Sequence, residues 1–149
     1  HLSIVQTVPV SGAVIVSTPQ NIALADAKKG VAMFQQASIN VPVLGIVENM
    51  SYFTPAELPE NKYYIFGKDG AKKLAEDIET EFLGEVPIVQ SIREGGDLGQ
   101  PVALLTNSPL EIAFTQITKN MLSQLIKRNE ELPPTEIVKI TNMSGCSAK

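Results

Sequence analysis

The sequence contains few of the residues that build redox and metal sites. Among 149 residues there is one cysteine, Cys146, and one histidine, His1. A single cysteine cannot form an internal disulfide, so the sequence favours a reducing, cytoplasmic location. A terminal histidine with no thiol or second histidine near it indicates neither a metal site nor a Ser-His-Asp triad.

A phosphate-binding loop is also missing. Gly95-Gly96 has no Lys-Ser or Lys-Thr after it at the spacing that such a loop requires. No apolar run reaches the roughly 18 residues of a membrane-spanning helix, and the N-terminus does not read as a secretory signal. The net charge of −4 and the pI near 5.0 argue against nucleic acid or an anionic membrane as the main partner. The chain alone is therefore poorly equipped for nucleotide or metal chemistry.

What the sequence does contain is typical of a globular domain. Hydrophobic residues make up 44% and charged residues 19% of the chain, a composition that supports a packed core. The chain begins at His1 without an initiator Met and enters an apolar segment almost at once. We expect a piece of a longer protein, with a processed N-terminus as the alternative.

Apolar segments with two different periods alternate along the chain. Short runs at residues 12–17, 43–47 and 81–86 predict strands. Helical spacing runs from Thr18-Pro19 to Phe34, over residues 69–78, and from the capping box at Ser108 to about Lys127. This alternation predicts an α/β fold in which helices cover both faces of a parallel sheet.

The end of the chain has a different character. Pro133-Pro134 stops the last helix, and residues 137–140 have the composition of a short edge strand. The final residues are small and polar, which predicts a loose end. We therefore divide the chain into a domain at residues 1–132 and a tail at residues 133–149.

Candidate ligand contacts follow the predicted strands, because open parallel sheets bind ligands at their carboxyl edge. Asn49 follows the second strand, and its amide suits the N6/N7 edge of adenine, unless the residue only serves a left-handed turn. Ser17-Thr18-Pro19 either attracts an anion or caps a helix. Pro87 either shapes the wall of a base pocket or ends a strand.

Two further segments have a functional and a structural interpretation. Residues 51–67 form a long stretch with two prolines and five aromatic residues, which favours either a binding loop or an aromatic-pinned surface loop. Arg93 and Asp97 fall at the start of a predicted short helix after the third strand. A solvated face or a local ion pair is the default interpretation of these two charges.

Taken in order, these strings resemble the second half of the Mrp family of deviant-Walker P-loop ATPases, which are related to MinD and associated with carrying iron-sulfur clusters. The resemblance covers about residues 1–125. Its matching strings are residues 5–20, 23–27, 41–51, 65–67, 82–87 and 92–94.

The resemblance implies a doubly wound P-loop NTPase fold from which the P-loop half is missing. It implies ATP as ligand, Mg²⁺ in the intact parent, a homodimer and iron-sulfur recipient proteins. In such a protein Asn49 and the segment Val86-Pro87-Ile88 would line the adenine pocket. The intact parent would be an ATPase, whereas this portion without phosphate-binding amides would be inactive.

The chain departs from the family pattern inside the matched region. Many members carry a Cys-x-x-Cys pair soon after the Asn-Met-Ser string, but residues 53–59 here contain no cysteine. Iron needs thiolate ligands, so the missing pair argues against a bound cluster. Val89 also stands where an acidic residue is common. The alternative function is a non-catalytic interaction module in which residues 51–67 and the tail hold a partner; a membrane-cycling ATPase is disfavoured by the lack of a basic amphipathic C-terminal helix.

Overall fold

The computed structural model describes residues 2–55, 57–106 and 108–138. Three parallel strands form one sheet in the order β1-β2-β3, which confirms the predicted α/β fold. The elements in chain order are α1 (Leu2–Val5), β1 (Ala13–Ser17), α2 (Asn21–Gln35), β2 (Val43–Phe53), α3 (Gly70–Asp77), β3 (Phe82–Ile88), α4 (Gln90–Asp97), a 3₁₀ turn (Val102–Leu104) and α5 (Pro109–Glu131).

Helices cover both faces of the sheet, as predicted. Successive residues of a strand point to opposite faces, and the central strand shows this at Ile46 and Val47. Ile46 is fully buried in a cluster with residues of α2 and α3. Val47 packs instead with residues of α4 and α5. The apolar runs of β2 are continuous because both faces are covered.

The strand β2 is longer than the sequence predicts. The prediction ended it at Val47, but the strand continues to Phe53. Two buried polar side chains, Glu48 and Ser51, lie within the extension. Each has a hydrogen-bond partner in the fold, and this allows polar residues to continue a buried strand.

The predicted start of α2 at Thr18-Pro19 is wrong. The helix begins at Asn21, and its N-cap is Gln20, which makes no side-chain capping bond. The Thr18 hydroxyl donates a hydrogen bond to the side-chain oxygen of Gln20 at 3.2 Å. Thr18 therefore lies two residues before the N-cap and does not cap α2.

The predicted capping box at α5 is confirmed in its main bond. Ser108 Oγ accepts a hydrogen bond from the Glu111 N–H at 3.0 Å, with Pro109 in the first helical position. The Glu111 carboxylate accepts from the Thr115 hydroxyl at 3.0 Å, while the Ser108 N–H donates to Leu105. The reciprocal bond of the box is thus replaced.

The end of the described chain packs back onto its beginning. Ile137 and Val138 do not form the predicted strand, although the Val138 N–H donates to the Val5 carbonyl at 3.0 Å. The rest of that predicted strand, the loose end and Cys146 lie outside the described residues. Within the described ranges no helix is long and apolar enough to span a bilayer.

Candidate functional site

The sheet brings the four predicted site residues to one edge. Asn49 in β2 lies directly opposite Val86 in β3, and Phe53 lies opposite Ile88. Pro87 falls between the two paired residues of β3. Its missing N–H is tolerated because β3 is an edge strand of the described sheet.

Asn49 is held in an extended backbone rather than in a turn. The residue with a left-handed backbone is Met50, at φ 56°, and the β2–β3 register shifts between Asn49 and Phe53. Asn49 Oδ1 accepts the Met50 N–H at 2.9 Å, which supports this irregular turn of the strand. Within the described residues the Asn49 NH₂ group has no hydrogen-bond partner. It remains available for an acceptor such as a purine nitrogen.

The segment Val86-Pro87-Ile88 is fixed from behind. The Val86 side chain is buried in the cluster on the α4–α5 face, so it anchors the segment in the core. The Ser51 hydroxyl, fully buried, donates to the Val86 carbonyl at 3.1 Å. Pro87 and Ile88 are partly exposed and face the edge. The segment is therefore anchored at Val86 and accessible at the two following residues.

A buried carboxylate next to Asn49 holds the start of α3. Glu48 is only 2% exposed, and its Oε2 accepts the Ala71 N–H at 2.7 Å. The N-cap residue Asp69 makes no side-chain capping bond, so Glu48 supplies the missing cap from the neighbouring strand. Burial raises the pKa of the Glu48 carboxyl, and the charges of Asp69 and Glu85 add to this, while the α3 amides oppose it.

The turn after β1 packs against the same point. A Cβ on Gly70 would lie 2.5 Å from the Pro19 carbonyl oxygen, so only glycine allows this close approach. We call this contact region the Glu48 junction: Pro19, Glu48, Asp69, Gly70 and Ala71. Sequence reasoning did not identify it; the available signal was one acidic residue at the end of an apolar run.

The hydroxyls at Ser17-Thr18-Pro19 are engaged locally. Ser17 is buried, and its Oγ donates to the Thr18 carbonyl at 3.1 Å. The segment borders an open groove of about 720 Å³ that also touches α1, α2 and Asn49. This volume is in the range of ligand pockets. Val16 on the adjoining edge strand is 60% exposed.

The end of β2 and the loop after it fold back as a short antiparallel arm, which we define as residues 52–55 and 57–64. Phe53 and Tyr63 exchange two backbone hydrogen bonds, at 2.9 and 2.8 Å. The rings of Tyr52 and Tyr64 meet edge to face with centroids 6.4 Å apart. Lys62 Nζ lies 3.8 Å from the centre of the Tyr52 ring and 3.3 Å from Glu85 Oε1.

The arm does not fit an iron-sulfur cluster. No cysteine occurs at residues 53–59, and no three His, Cys, Asp or Glu side chains come together as a metal site in the described part of the chain. The arm carries a positive charge, the ammonium group of Lys62, beside Glu85 and the Tyr52 ring. Burial opposes its charge, but the nearby Glu85 and Tyr52 raise the pKa of Lys62 above its ordinary value.

The predicted ion pair of α4 is also present. Arg93 lies 2.7 Å from Asp97 one turn away, and both side chains are largely exposed. Arg93 also contacts Glu94 at 3.3 Å. Such surface pairs contribute little to stability, and these charges lie on the exposed side of α4.

The fold of the chain is similar to that of solved structures. A nucleotide-binding protein from Archaeoglobus fulgidus, solved in complex with ADP, is 36% identical with a TM-score of 0.61 over 76% of this chain and 44% of that one. The cell division ATPase MinD of Pyrococcus furiosus, at 23% identity and a TM-score of 0.54, shares the fold.

Proteins of similar sequence are described as iron-sulfur cluster carrier or transfer proteins. An iron-sulfur cluster carrier protein of Synechocystis is 45% identical over 126 residues, covering 84% of this chain and 35% of the relative. The mouse iron-sulfur cluster transfer protein NUBPL is 56% identical over 102 residues, covering 68% and 31%. The chain spans about a third of the length of these curated relatives. A family model described as ParA, NUBPL iron-transfer P-loop NTPase, matches residues 1–122, and the chain belongs to this family.

Proposed function

We propose that the chain is the C-terminal part of an ATP-binding iron-sulfur cluster carrier and that it supplies the adenine-side wall of the nucleotide site. The observation that carries this proposal is the position of Asn49 opposite Val86 at the carboxyl edge. In this site the Asn49 NH₂ group donates to a ring nitrogen of adenine. Asn49 Oδ1 keeps a second lone pair for the exocyclic amine.

The remaining parts of the nucleotide site belong to the longer parent protein. Strand β1 lies at one edge of the described sheet, beside the groove that reaches Asn49. We propose that the parent's other half covers this edge and supplies the phosphate-binding amides and the Mg²⁺ ligands. Phosphoryl transfer depends on these groups, so the present chain alone has no ATPase activity in this proposal.

The experiment compares Asn49→Ala with wild type in the intact parent, using a fluorescent ATP analogue. Loss of the adenine contacts is expected to weaken binding by about tenfold or more. Asn61→Ala, on the exposed arm, is the matched control and should bind as wild type does. Unchanged affinity in Asn49→Ala would reject the adenine role. Micromolar binding by the 149-residue chain alone would reject the proposed division between the two halves.

The cargo and assembly of the parent are also proposals. The names of the relatives support the transfer of iron-sulfur clusters to recipient proteins, and we propose that a cytoplasmic homodimer performs it. Since the arm lacks thiolates, any cluster must be held by ligands other than residues 53–59. Anaerobic reconstitution of the intact parent with iron and sulfide tests this, with stoichiometric cluster absorbance as the result that supports a carrier.

A second candidate function is a non-catalytic interaction module that binds no cluster. It is favoured by the exposed apolar side chains of the arm, since Phe53, Leu58 and Tyr63 are 38%, 48% and 46% exposed. The absence of a cluster after reconstitution would favour this second function. The division between a domain at residues 1–132 and a tail also stays a proposal. The two parts are in contact, since the hydroxyls of Thr135 and Ser11 lie 3.2 Å apart.

A further inference from the structure

The arm is tied to the proposed adenine wall at three points. Ser51, immediately before the arm, donates to the Val86 carbonyl. Phe53 pairs in register with Ile88. Lys62, on the returning side of the arm, reaches Glu85, the residue just before the wall. Displacement of the returning segment would therefore act first on Glu85, the residue next to the wall.

Of these three contacts, only the one made by Lys62 closes the arm. Ser51 and Phe53 belong to β2 itself, so they stay in place when the returning segment moves. The backbone bridge between Phe53 and Tyr63 and the edge-to-face contact of Tyr52 with Tyr64 are the other closing contacts found among the described residues. Lys62 combines a cation–π contact with Tyr52 and an ion pair with Glu85, and it thereby joins the outgoing side, the returning side and β3.

We propose that Lys62 is a positioning residue that latches the arm to the adenine-side wall, so that adenine nucleotide affinity depends on the closed arm. The effect on affinity rests on the proposed nucleotide function, whereas the latch itself can be tested without nucleotide.

The test of the latch uses limited proteolysis of the intact parent with a glutamate-specific protease. Glu57 and Glu60 lie exposed near the tip of the arm. In Lys62→Met the apolar stem remains but the cation is lost, and cleavage in the arm should accelerate about three- to tenfold. Cleavage after Glu130 in α5 serves as the internal reference for general unfolding. Lys62→Arg should restore slow cleavage, because arginine keeps both contacts.

Lys68→Met is the matched control. Lys68 lies 5.0 Å from the centre of the Tyr64 ring, and no ion pair to it is found within the described residues. Its replacement should change arm cleavage by less than about twofold. Equal effects of Lys62→Met and Lys68→Met, or unchanged arm cleavage in Lys62→Met, would overturn the latch.

Nucleotide affinity provides the second readout. Lys62→Met should weaken binding of the fluorescent ATP analogue about threefold, with recovery in Lys62→Arg. Faster arm cleavage with unchanged affinity would overturn the coupling to the wall. If the wild-type parent binds no adenine nucleotide, the proposed function fails and so does the coupling, while the proteolysis result still decides whether Lys62 closes the arm.

Discussion

The Glu48 junction and the arm use similar contacts in different surroundings. At the junction a carboxylate that is 2% exposed accepts a backbone N–H at 2.7 Å. In the arm the Lys62 and Glu85 side chains meet at 3.3 Å while remaining 45% and 39% exposed. Charge interactions strengthen as water is excluded, but the cost of leaving a charge unpaired rises as well. The junction is thus expected to govern folding stability, and the arm to govern local closure.

One residue of β3, Glu85, interacts with both regions. Glu85 pairs with Lys62 of the arm, and its charge also raises the pKa of Glu48. The pairing of Glu85 with a cation therefore lessens the repulsion that the buried carboxylate experiences. The two regions differ in strength, but they are electrostatically connected through the strand that carries the proposed adenine wall.

The sharpest contrast is expected from removing the buried carboxylate. Glu48→Ala leaves the Ala71 N–H without an acceptor and opens a cavity, so the free energy of unfolding should fall by about 3 kcal/mol. Urea denaturation followed by circular dichroism measures the change. Glu60→Ala, on the exposed arm, is the control and should lie within about 0.5 kcal/mol of wild type. If Glu48→Ala lost no more unfolding free energy than Glu60→Ala, the junction would not govern stability more than the arm does.

A second substitution tests the tight packing of the junction without changing a charge. In Gly70→Ala the new methyl group would meet the Pro19 carbonyl oxygen at 2.5 Å, and the free energy of unfolding should decrease by about 2 kcal/mol. Gly96→Ala in α4 meets nothing within 4 Å. It should be neutral or stabilise by up to about 1 kcal/mol because alanine favours helix. Similar unfolding midpoints for the two variants would contradict the close approach.

Local signals in the sequence predicted much of the fold. The apolar run at the start of β2 reflects a strand that is covered on both faces, and Ser108 caps α5 through a residue only three positions away. These relations depend on neighbours along the chain. The position of Asn49 near the carboxyl edge followed from the same pattern, but its role in binding adenine stays a prediction.

The junction and the arm could not be predicted in the same way. Glu48 finds its partner 23 residues later at Ala71, and Ser51 finds Val86 35 residues later. A buried acidic residue is unfavourable until that distant amide is placed beside it. The pairing of Phe53 with Tyr63 likewise joins residues ten positions apart along the chain. Sequence periodicity contains no information on such contacts.

The pH dependence of Glu48→Gln sharpens the comparison further. Because burial raises the pKa of Glu48, the folded wild type binds more protons than the unfolded chain between the ordinary and the raised value. The stabilising contribution of Glu48 is therefore fully present below the ordinary pKa of a glutamate. It is lost as the pH rises through the raised pKa of the folded protein. The amide of the variant does not titrate, so the stability of the variant relative to wild type should increase as pH rises. Denaturation curves from pH 4 to pH 8 would show a constant difference if the carboxyl were unperturbed.

The smallest effect is expected in the arm, at the aromatic pair. Tyr64→Leu removes the edge-to-face contact with Tyr52 but leaves the Lys62 contacts and the backbone bridge in place. Global stability should change by about 0.5 kcal/mol, while proteolysis in the arm should increase about twofold, since the lost contact is local. Tyr63→Leu is the control: Tyr63 is 46% exposed and has no ring partner among the described residues. A large loss of global stability in Tyr64→Leu would mean that the arm is part of the folding core, and that the junction and the arm unfold together.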